Sequence, residues 1–441
     1  MDINIVKGTH DIYDDDARGF THVEMVLKGV AELYAFNEIR TPILEHTELF
    51  TRSVGESSDI VRKEMYTFKD KGDRSVTLRP ELTAGVMRSI VTNKLYATKD
   101  LPMKFYYVGP AFRYERPQAG RYRQFNQFGI ESVGVTSPYH DLEVIMLGYD
   151  ALRMLGFKNI RLKINSLGDQ ESRDNYRKAL KEYFADHIDK MCNDCKDRFN
   201  INPLRILDCK VESDKEIVKD APKMRDYLSK EALDRFNLIT KTLDEYEIPY
   251  EVDDTLVRGL DYYSHVIFEF HYQSKNGTDL GAIGAGGHYD NLLKEVGGPS
   301  LSGAGVAFGI ERLHALLKEE ELLKDIELST DVYVMPLSDE QIDYAFYITE
   351  VLRASAYRTE ICLEKKSFKQ LFKRAEKVNA QVAIIIGEEE VKNNEVVIKD
   401  LKTTQQVKIP LANLLTTIDM MFMKEEDHDE HCHCGCHDHE E

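Results

Sequence analysis

A segment rich in arginine and polar side chains, FRYERPQAGRYRQFNQFGIE (Phe112–Glu131), has the residue types that suit chemistry on a phosphate group. Its pattern predicts a strand that leads into Arg113, then a loop and a returning strand. Side chains alternate between the two faces of a strand, so Arg113 and Glu115 are predicted to share one face. Arginine is the fitting cation for phosphate because its planar group donates two hydrogen bonds at once. The alternative interpretation is a solvated hairpin with surface salt bridges.

The returning strand, predicted over Gln124–Val133, places Gln127 and Glu131 on one face with a glycine between them. That glycine predicts room for a small ligand to lie against the sheet. A second segment, TLRPELTAG, ends a predicted strand at a proline, and Glu81 and Thr83 follow at the strand exit. A carboxylate and a hydroxyl at this exit could hold an ammonium group, or Glu81 could cap the next helix.

Two further segments combine arginine with aromatic residues or glycines. In LVRGLDYYSHVIFEF, Arg258 lies at the edge of an aromatic strand, which predicts a charged partner for it. Tyr262 and Tyr263 must point to opposite faces if both lie on that strand, and packing is their alternative role. The runs GAIGAGGHYDNLL and GAGVAFGIERLHALL permit close backbone approach, and the second predicts a helix from near Gly309 with Arg312 in its first turn.

Several familiar catalytic signatures are absent from the sequence. It contains no G-x-x-x-x-G-K-[ST] loop, no G-x-S-x-G elbow and no H-E-x-x-H pair. A Walker-type phosphate cradle is therefore excluded, and no nucleophile supplied by the protein is predicted.

The elements that must position these residues fall into four segments of the 441-residue chain. Residues 1–325 alternate strand and helix patterns and contain the candidates for chemistry, with a charged, helix-patterned insertion at about residues 170–240. Residues 330–422 alternate strands and helices, including a helix over Lys365–Val378, which predicts a small α/β domain with a largely parallel sheet. Residues 424–441 form a low-complexity tail that is predicted to be disordered.

Charge and hydropathy narrow the compartment and the partners. The apolar runs are far shorter than the ~20 residues that span a bilayer, and no export signal is visible, so we expect no membrane association and a cytoplasmic protein. The net charge of −19 argues at first against nucleic acid. Two basic stretches, Arg113–Arg123 and Lys365–Lys377, nevertheless leave a local phosphate-binding surface open.

The seven cysteines include two groups with metal-ligand chemistry. Cys192-x-x-Cys195 with Cys209 supplies three thiols and no obvious fourth ligand, so packed or free cysteines are favoured there. The tail could chelate zinc, nickel or copper through thiolates and imidazoles, or be an extension without function. The candidate ligands in the tail are His431, Cys432, His433, Cys434, Cys436, His437 and His439.

Taken together and in this order, these segments resemble the class II aminoacyl-tRNA synthetases, and specifically their histidyl branch. Arg40–Phe68 looks like motif 1 of that class, Phe112–Glu131 like motif 2, and Gly303–Leu313 with GIERL like motif 3. LVRGLDYY and GAGGHYD are similar to the two signature peptides of the histidyl branch, which are specific to it. The resemblance runs from about Ile5 to about Leu415.

The resemblance implies an α+β fold, with an antiparallel sheet of class II synthetase type flanked by helices, a helical insertion and a C-terminal α/β anticodon-binding domain. It implies a homodimer formed through the motif 1 region. It also implies histidine–tRNA ligase activity with ATP, Mg²⁺, L-histidine and tRNA(His). An alternative is a catalytically silent, histidine-binding regulatory subunit of ATP phosphoribosyltransferase.

The resemblance also implies roles for individual residues. Arg113 and Arg258 would act on the α-phosphate from opposite sides, Glu115 would hold the adenine end, and Arg312 the γ-phosphate. Arg258 would also contact histidine, together with Glu81, Thr83, Gln127, Glu131, Tyr262, Tyr263 and Tyr289. The tRNA would contact Arg116, Gln118, Lys365, Lys366, Lys369 and Lys373. The sequence departs from the family pattern at His288, usually arginine, and at Asn126, often histidine.

Overall fold

The chain folds into two compact units, Met1–Ile326 and Glu327–Glu441. A computed structural model describes residues 3–55, 58–118, 120–323 and 330–429. No helix within these ranges is both long enough and apolar enough to cross a bilayer.

The first unit is built on one large sheet with a small sheet beside it. Its strands are β1 (Asn37–Glu38), β2 (Leu44–His46), β3 (Tyr66–Lys69), β4 (Ser75–Leu78), β5 (Met103–Phe112), β6 (Gln124–Val133), β7 (Arg161–Ser166), β8 (Tyr250–Val252), β9 (Ser264–Gln273), β10 (Asp279–Tyr289) and β11 (Gly303–Gly309). The large sheet has the order β1-β5-β6-β11-β10-β9-β7-β8, and the small one β2-β4-β3. Pairing is antiparallel from β5 to β7 and parallel only at the outermost pairs, β1 with β5 and β7 with β8.

Helices cover this sheet. They are α1 (Asp14–Leu33), α2 (Thr47–Ser53), α3 (Thr83–Thr92), α4 (Leu95–Thr98), α5 (Pro138–Met154), α6 (Gln170–Ala185), α7 (Asn193–Ile201), α8 (Glu212–Lys219), α9 (Lys230–Glu245), α10 (Leu292–Glu295) and α11 (Ile310–Glu319). A π-helical turn spans Ile60–Glu64, and 3₁₀ turns span Ile188–Lys190, Pro203–Asp208 and Met224–Tyr227. The expected antiparallel sheet flanked by helices is confirmed.

The alternation of side chains along the strands divides the unit into two layers. On β6, Phe128 and Ile130 join the core formed with α1, α5, α9 and α11. On β5, Phe105 and Tyr107 face the other way and pack against α3. Arg113, at the end of β5, and Gln127 both line a cavity that also contains Tyr107. The candidate polar residues therefore lie on the sheet face opposite α1 and α5.

The insertion has a small core of its own, formed by residues between Tyr176 and Met224, whereas α9 packs on the main core through Phe236 and Ile239. Cys192, Cys195 and Cys209 are free cysteines packed in this core, as favoured, but a possible fourth ligand lies beside them. Asp214, the third residue of α8, lies beside the three thiols. Its contribution was invisible in the sequence because nothing in the pattern of α8 indicates that this acid points inward.

The second unit contains a five-stranded sheet of order β13-β12-β14-β15-β16. Its strands are β12 (Val332–Pro336), β13 (Thr359–Ile361), β14 (Val382–Ile386), β15 (Glu395–Asp400) and β16 (Gln406–Pro410). Its helices are α12 (Ile342–Ala354), α13 (Phe368–Lys377), α14 (Glu388–Asn393) and α15 (Leu414–Asp429), with 3₁₀ turns at Asp339–Gln341 and Leu411–Asn413.

The prediction of a largely parallel sheet is wrong for this unit. β12 pairs in parallel with β13 and β14, but β15 pairs antiparallel with β14 and β16. The chain between Ile386 and Glu395, and the turn after Asp400, are too short for the crossover that parallel strands require. Helix α13 also begins later than predicted, because Ser367 and Gln370 form a capping box at its start.

Candidate active site

A cavity of about 950 Å³ opens on the sheet face opposite α1 and α5 in the first unit. Predicted residues from four distant segments of the sequence line it. They are Glu81, Thr83, Arg113, Glu115, Gln127, Arg258, Tyr262, Tyr263 and Arg312. The strand order explains this meeting, because β6 and β11 are neighbours although nearly 170 residues separate them.

Arg113 and Arg312 are held by backbone carbonyls. The Nε atom of Arg113 donates to the Pro80 carbonyl at 2.9 Å, and its guanidinium lies 5.3 Å from the centre of the Phe125 ring. The Nε atom of Arg312 donates to the Gly120 carbonyl at 3.1 Å. These contacts orient both guanidinium groups without cancelling their charge. Glu115 lies 3.9 Å from Arg113, and both arginines line the cavity.

Arg258 is held by an acid and a ring. Its Nη1 atom lies 2.6 Å from Glu269, and its guanidinium lies 5.4 Å from the centre of the Tyr263 ring. Burial opposes the ionisation of Glu269, but the hydrogen bond from His271 and the charge of Arg258 together lower its pKa. The Nε atom of Arg258 is buried and has no hydrogen-bond partner among the described residues. The predicted charged partner of Arg258 therefore exists and is Glu269.

One oxygen of Glu81 contacts the start of the next helix, which is one of the two roles that its position suggested. Its Oε1 atom accepts a hydrogen bond of 2.9 Å from the backbone N–H of Ala84, in the first turn of α3. Its Oε2 atom is buried without a hydrogen-bond partner in the described part of the chain. Burial raises the pKa of this carboxyl group. A buried acceptor that lacks a donor is costly, so a donor group at this atom would stabilise it.

Glu131 and Tyr289 lie behind the cavity lining rather than in it. Glu131 accepts hydrogen bonds from Thr83 at 2.6 Å, from Tyr107 at 3.1 Å and from Tyr289 at 2.6 Å. Burial raises the pKa of Glu131 to about 8. This network fixes Thr83 and Tyr107, which do line the cavity.

The space predicted above Gly129 is not open to a ligand. A Cβ atom at Gly129 would lie 2.4 Å from the Cζ atom and hydroxyl oxygen of Tyr107. The glycine therefore makes room for this tyrosine ring from the neighbouring strand β5. Sequence reasoning missed Tyr107, and the signal that could have found it was the pairing of Tyr107 with Gly129 across the two strands.

Tyr262 and Tyr263 do not lie on the strand, so the condition under which they would point to opposite faces is not met. Strand β9 begins only at Ser264, so both tyrosines lie in the segment before it. Their ring centres are 4.6 Å apart, and both rings line the cavity.

The two departures from the family pattern have structural counterparts. His288 is buried. Its Nδ1 atom lies 2.7 Å from the Oδ1 atom of Asp141, and its Nε2 atom lies 3.0 Å from the Oδ1 atom of Asp290. Burial opposes protonation, but these carboxylates outweigh it and raise the pKa of His288 to about 9, so the side chain is a cation at neutral pH. Asn126 donates its backbone N–H and its side-chain amide to Glu311, at 2.8 Å and 3.1 Å.

The acids of the cavity that were missed as candidates include Glu269 and Glu311. Burial raises the pKa of Glu311 to about 7. Glu311 stands beside Arg312 in GIERL and was therefore visible in the sequence. Glu269 lies in the same sequence segment as Arg258. The available signal was that Glu269 is a charged residue within the alternating pattern of strand β9.

The predicted tRNA contacts are exposed in both units. Arg116 and Gln118 lie in the loop between β5 and β6. Lys369 and Lys373 lie on α13, whereas Lys365 and Lys366 precede it instead of belonging to it. The predicted metal ligands of the tail, residues 431–439, lie outside the described residues.

Two family models match the chain: Histidyl-tRNA synthetase over residues 8–313 and Anticodon binding domain over residues 331–420. A histidine–tRNA ligase of Bacillus licheniformis is 46% identical over 415 residues, which cover 94% of this chain and 98% of the relative. The chain belongs to the histidyl-tRNA synthetase family. The resemblance found in the sequence is thereby confirmed.

Other relatives of the family agree. A histidine–tRNA ligase of Bacillus subtilis is 44% identical over 94% of this chain and 98% of its own length. The crystal structure of apo S. aureus histidyl-tRNA synthetase has 37% sequence identity and a TM-score of 0.80, over 94% of this chain and 99% of that one. The second unit is therefore the anticodon-binding domain of the family.

The alternative of a regulatory subunit is not favoured. A Bacillus halodurans C chain described as an ATP phosphoribosyltransferase regulatory subunit/histidyl-tRNA synthetase shares 20% identity and a TM-score of 0.59. At that identity the likeness bears on the fold alone. The much more similar relatives are histidine–tRNA ligases.

Proposed function

We propose that this chain is a histidine–tRNA ligase. It activates L-histidine with ATP to histidyl-adenylate and pyrophosphate, and then transfers histidine to the 3′-terminal adenosine of tRNA(His). The observation that carries the proposal is the meeting of Arg113, Arg258 and the unpartnered Glu81 oxygen in one cavity. Two cations suit a phosphate, and a buried carboxylate oxygen suits the ammonium group of an amino acid.

This reaction requires no nucleophile from the protein. A carboxylate oxygen of histidine attacks the α-phosphorus of ATP, and the bond to pyrophosphate breaks. The terminal ribose hydroxyl of the tRNA then attacks the carbonyl carbon, and AMP leaves. The chain has to orient the reactants and neutralise the charge that grows at phosphorus, which is the task of Arg113 and Arg258 on either side of it.

We assign the ATP end of the cavity to Glu115 for adenine and Arg312 for the γ-phosphate. The support is that both line the cavity with Arg113. Mg²⁺, which the family uses with ATP, is bound mainly by phosphates and one or two carboxylates. Glu269 and Glu311 are carboxylates of the cavity that fit this need. When bound, Mg²⁺ would neutralise charge on the phosphates.

We assign the histidine end to Glu81, Thr83, Gln127, Tyr262 and Tyr263, with Arg258 between the two ends. These residues line the same cavity. Glu131 and Tyr289 support them from behind by hydrogen bonding, as described above.

The macromolecular partners follow from exposed surfaces. Arg116, Gln118 and the lysines at positions 365, 366, 369 and 373 are exposed and suit a tRNA backbone. A homodimer through Arg40–Phe68 is supported by the apolar side chains of Ile43, Leu44 and Phe68, which are 40%, 51% and 47% exposed. A monomer mass in sedimentation equilibrium would contradict the dimer.

Two further assignments concern the compartment and the tail. We place the chain in the cytoplasm, where charged tRNA is used, and cell fractionation tests this. We also propose that the tail binds zinc, nickel or copper through its cysteines and histidines, because thiolate and imidazole are good ligands for these metals.

Replacing Arg258 with alanine tests the main proposal. We expect the rate of histidine-dependent charging of tRNA to fall about 10²–10³-fold, the loss typical of one electrostatic contact to a transition state. Arg161→Ala, which removes an exposed arginine paired with Asp279 at 3.4 Å, is the control and should charge at the wild-type rate. Arg258→Lys keeps a positive charge beside Glu269 but lacks the planar guanidinium. A folded Arg258→Lys protein that charges tRNA slowly would show that the guanidinium itself is needed.

The same proteins distinguish the two functions that the sequence left open. A ligase supports histidine-dependent exchange of pyrophosphate into ATP, whereas a regulatory subunit does not. Absence of exchange with the folded wild-type chain, or unchanged charging by Arg258→Ala, would overturn the proposal.

A further inference from the structure

Three thiols and one carboxylate meet inside the helical insertion. We call Cys192, Cys195, Cys209 and Asp214 the cysteine cluster. Their potential ligand atoms all lie within 4.8 Å of one another. The Sγ atoms of Cys192 and Cys209 are 3.8 Å apart, and the Sγ of Cys209 is 3.2 Å from the Oδ2 of Asp214.

Short helices bring these four side chains together. Cys192 immediately precedes α7, and Cys195 lies in its first turn, so one helix start presents both thiols. Cys209 follows the 3₁₀ turn Pro203–Asp208. Asp214 lies near the start of α8 and accepts a hydrogen bond of 3.0 Å from the backbone N–H of Cys192. The site is therefore formed by three separate chain segments that fold over one another.

The charge of Asp214 is not balanced by a basic side chain. Asp214 is only 1% exposed, and no Lys, Arg or His of the described residues lies within 4.0 Å of its carboxylate. A buried carboxylate normally has a paired cation or a metal, and this one lies beside three thiols, so its surroundings suit a metal ion.

We propose that the cysteine cluster binds one zinc ion in tetrahedral geometry. Zinc–sulfur bonds of about 2.3 Å at tetrahedral angles put neighbouring sulfurs about 3.8 Å apart, which is the separation of Cys192 and Cys209. An iron–sulfur cluster needs thiols spread more widely around its several irons. A disulfide uses only two of the three thiols. Zinc binding displaces the thiol protons to solvent and transfers no electrons.

Four protein ligands leave no open position, so the zinc would be structural rather than catalytic. It would stabilise a small core that the insertion forms largely by itself. It would also anchor the segment that reaches the cavity. Leu207 and Cys209 contribute to the cavity lining, and Arg205 donates to the backbone carbonyl of Arg258 at 3.1 Å.

The test measures zinc in the full-length chain after the tail ligands are removed. In the tail variant, Cys432, Cys434 and Cys436 are changed to Ser and the five tail histidines, at 428, 431, 433, 437 and 439, to Gln. We expect this variant, dialysed against metal-free buffer, to retain about one zinc ion per chain by mass spectrometry of the metal. Cys195→Ser in the same background should abolish retention, and Cys362→Ser, a buried cysteine of the second unit, should not.

Two variants at Asp214 guard against a simple loss of folding. Asp214→Cys supplies a fourth thiolate and should keep zinc, whereas Asp214→Ala should lose most of it. Cobalt(II) bound in place of zinc should give the intense thiolate charge-transfer absorption of a tetrahedral site, and Asp214→Cys should increase it.

Three results would overturn the inference. They are a tail variant that retains no zinc, retention that is unchanged by Cys195→Ser, and a thiol count showing a disulfide among the three cysteines of the cluster. Each is read from metal content or thiol chemistry, so none depends on ligase activity.

Discussion

His288 occupies a buried position at which the family usually has arginine, and its two carboxylate neighbours keep it protonated. Asp141 and Asp290 contact its two ring nitrogens, and Arg235 lies 3.1 Å from Nδ1. The positive charge that the family pattern supplies permanently is thus supplied here by a titratable group. The neighbouring acids provide the electrostatic compensation for the charge on His288.

This histidine should make stability depend on pH. The pKa of His288 is about 9 in the folded chain against 6.5 for a free side chain. Its stabilisation is therefore complete below about pH 6.5 and is lost as pH rises through about 9, by an amount on the order of 3 kcal/mol. His288→Arg keeps its charge over this range, so its free energy of unfolding in urea should fall less between pH 6.5 and pH 9.5.

The exposed His10 provides the control for that measurement. His10→Arg should follow the wild-type pH dependence. Parallel curves for wild type and His288→Arg would show that His288 does not carry the charge at this site.

At the scale of elements, α13 separates a packing face from a charged face. Leu371 and Ala375 are buried in the second unit, while Lys369 and Lys373, four residues apart, share an exposed side. The capping box of Ser367 and Gln370 secures the start of this helix. The element therefore presents paired positive charges on a rigid support, which suits a phosphate backbone.

Charge reversal on this helix should act on tRNA alone. We expect Lys369→Glu to raise the KM for tRNA about tenfold at low salt, because a phosphate contact becomes a repulsion. Pyrophosphate exchange should not change, since the cavity is lined entirely by residues of the first unit. Lys392→Glu, on the exposed side of α14, makes the same charge change elsewhere in the unit, and an equal effect from it would argue against a specific surface.

At the scale of the whole molecule, the two units have separate cores, and the net charge is distributed unevenly along the chain. Each unit has its own hydrophobic core. The tail from Lys424 to Glu441 has eight acids and one base, so it contributes −7 to the net charge of −19. An acidic chain can still bind tRNA, because binding depends on local basic surfaces and the net charge acts mainly through long-range steering.

The tail should also raise the metal capacity of the chain. Titration with nickel or zinc should saturate the wild-type chain at a higher stoichiometry than the tail variant, because only the wild type has the tail thiolates and imidazoles. Charging of tRNA should be equal in both proteins. The same stoichiometry in both would show that the tail binds no metal.

Much of the fold and of the site could be predicted because the necessary signals are local. Alternation along β6 predicted which residues share a face, and the strand Gln124–Val133 has its predicted limits. Runs such as FRYERP and LVRGLDYY carry their functional side chains in adjacent residues. The family to which they belong could therefore be predicted without coordinates.

Only tertiary structure decided which side chains fill the space between these elements. Tyr107 occupies the room above Gly129, and Asp214 joins three cysteines from other turns. The charge of His288 depends on Asp141, 147 residues away. A sequence pattern reports backbone geometry and exposure along a few residues. Burial, shared cavities and shifted pKa values arise instead from contacts between distant segments, and these exist only once the chain has folded.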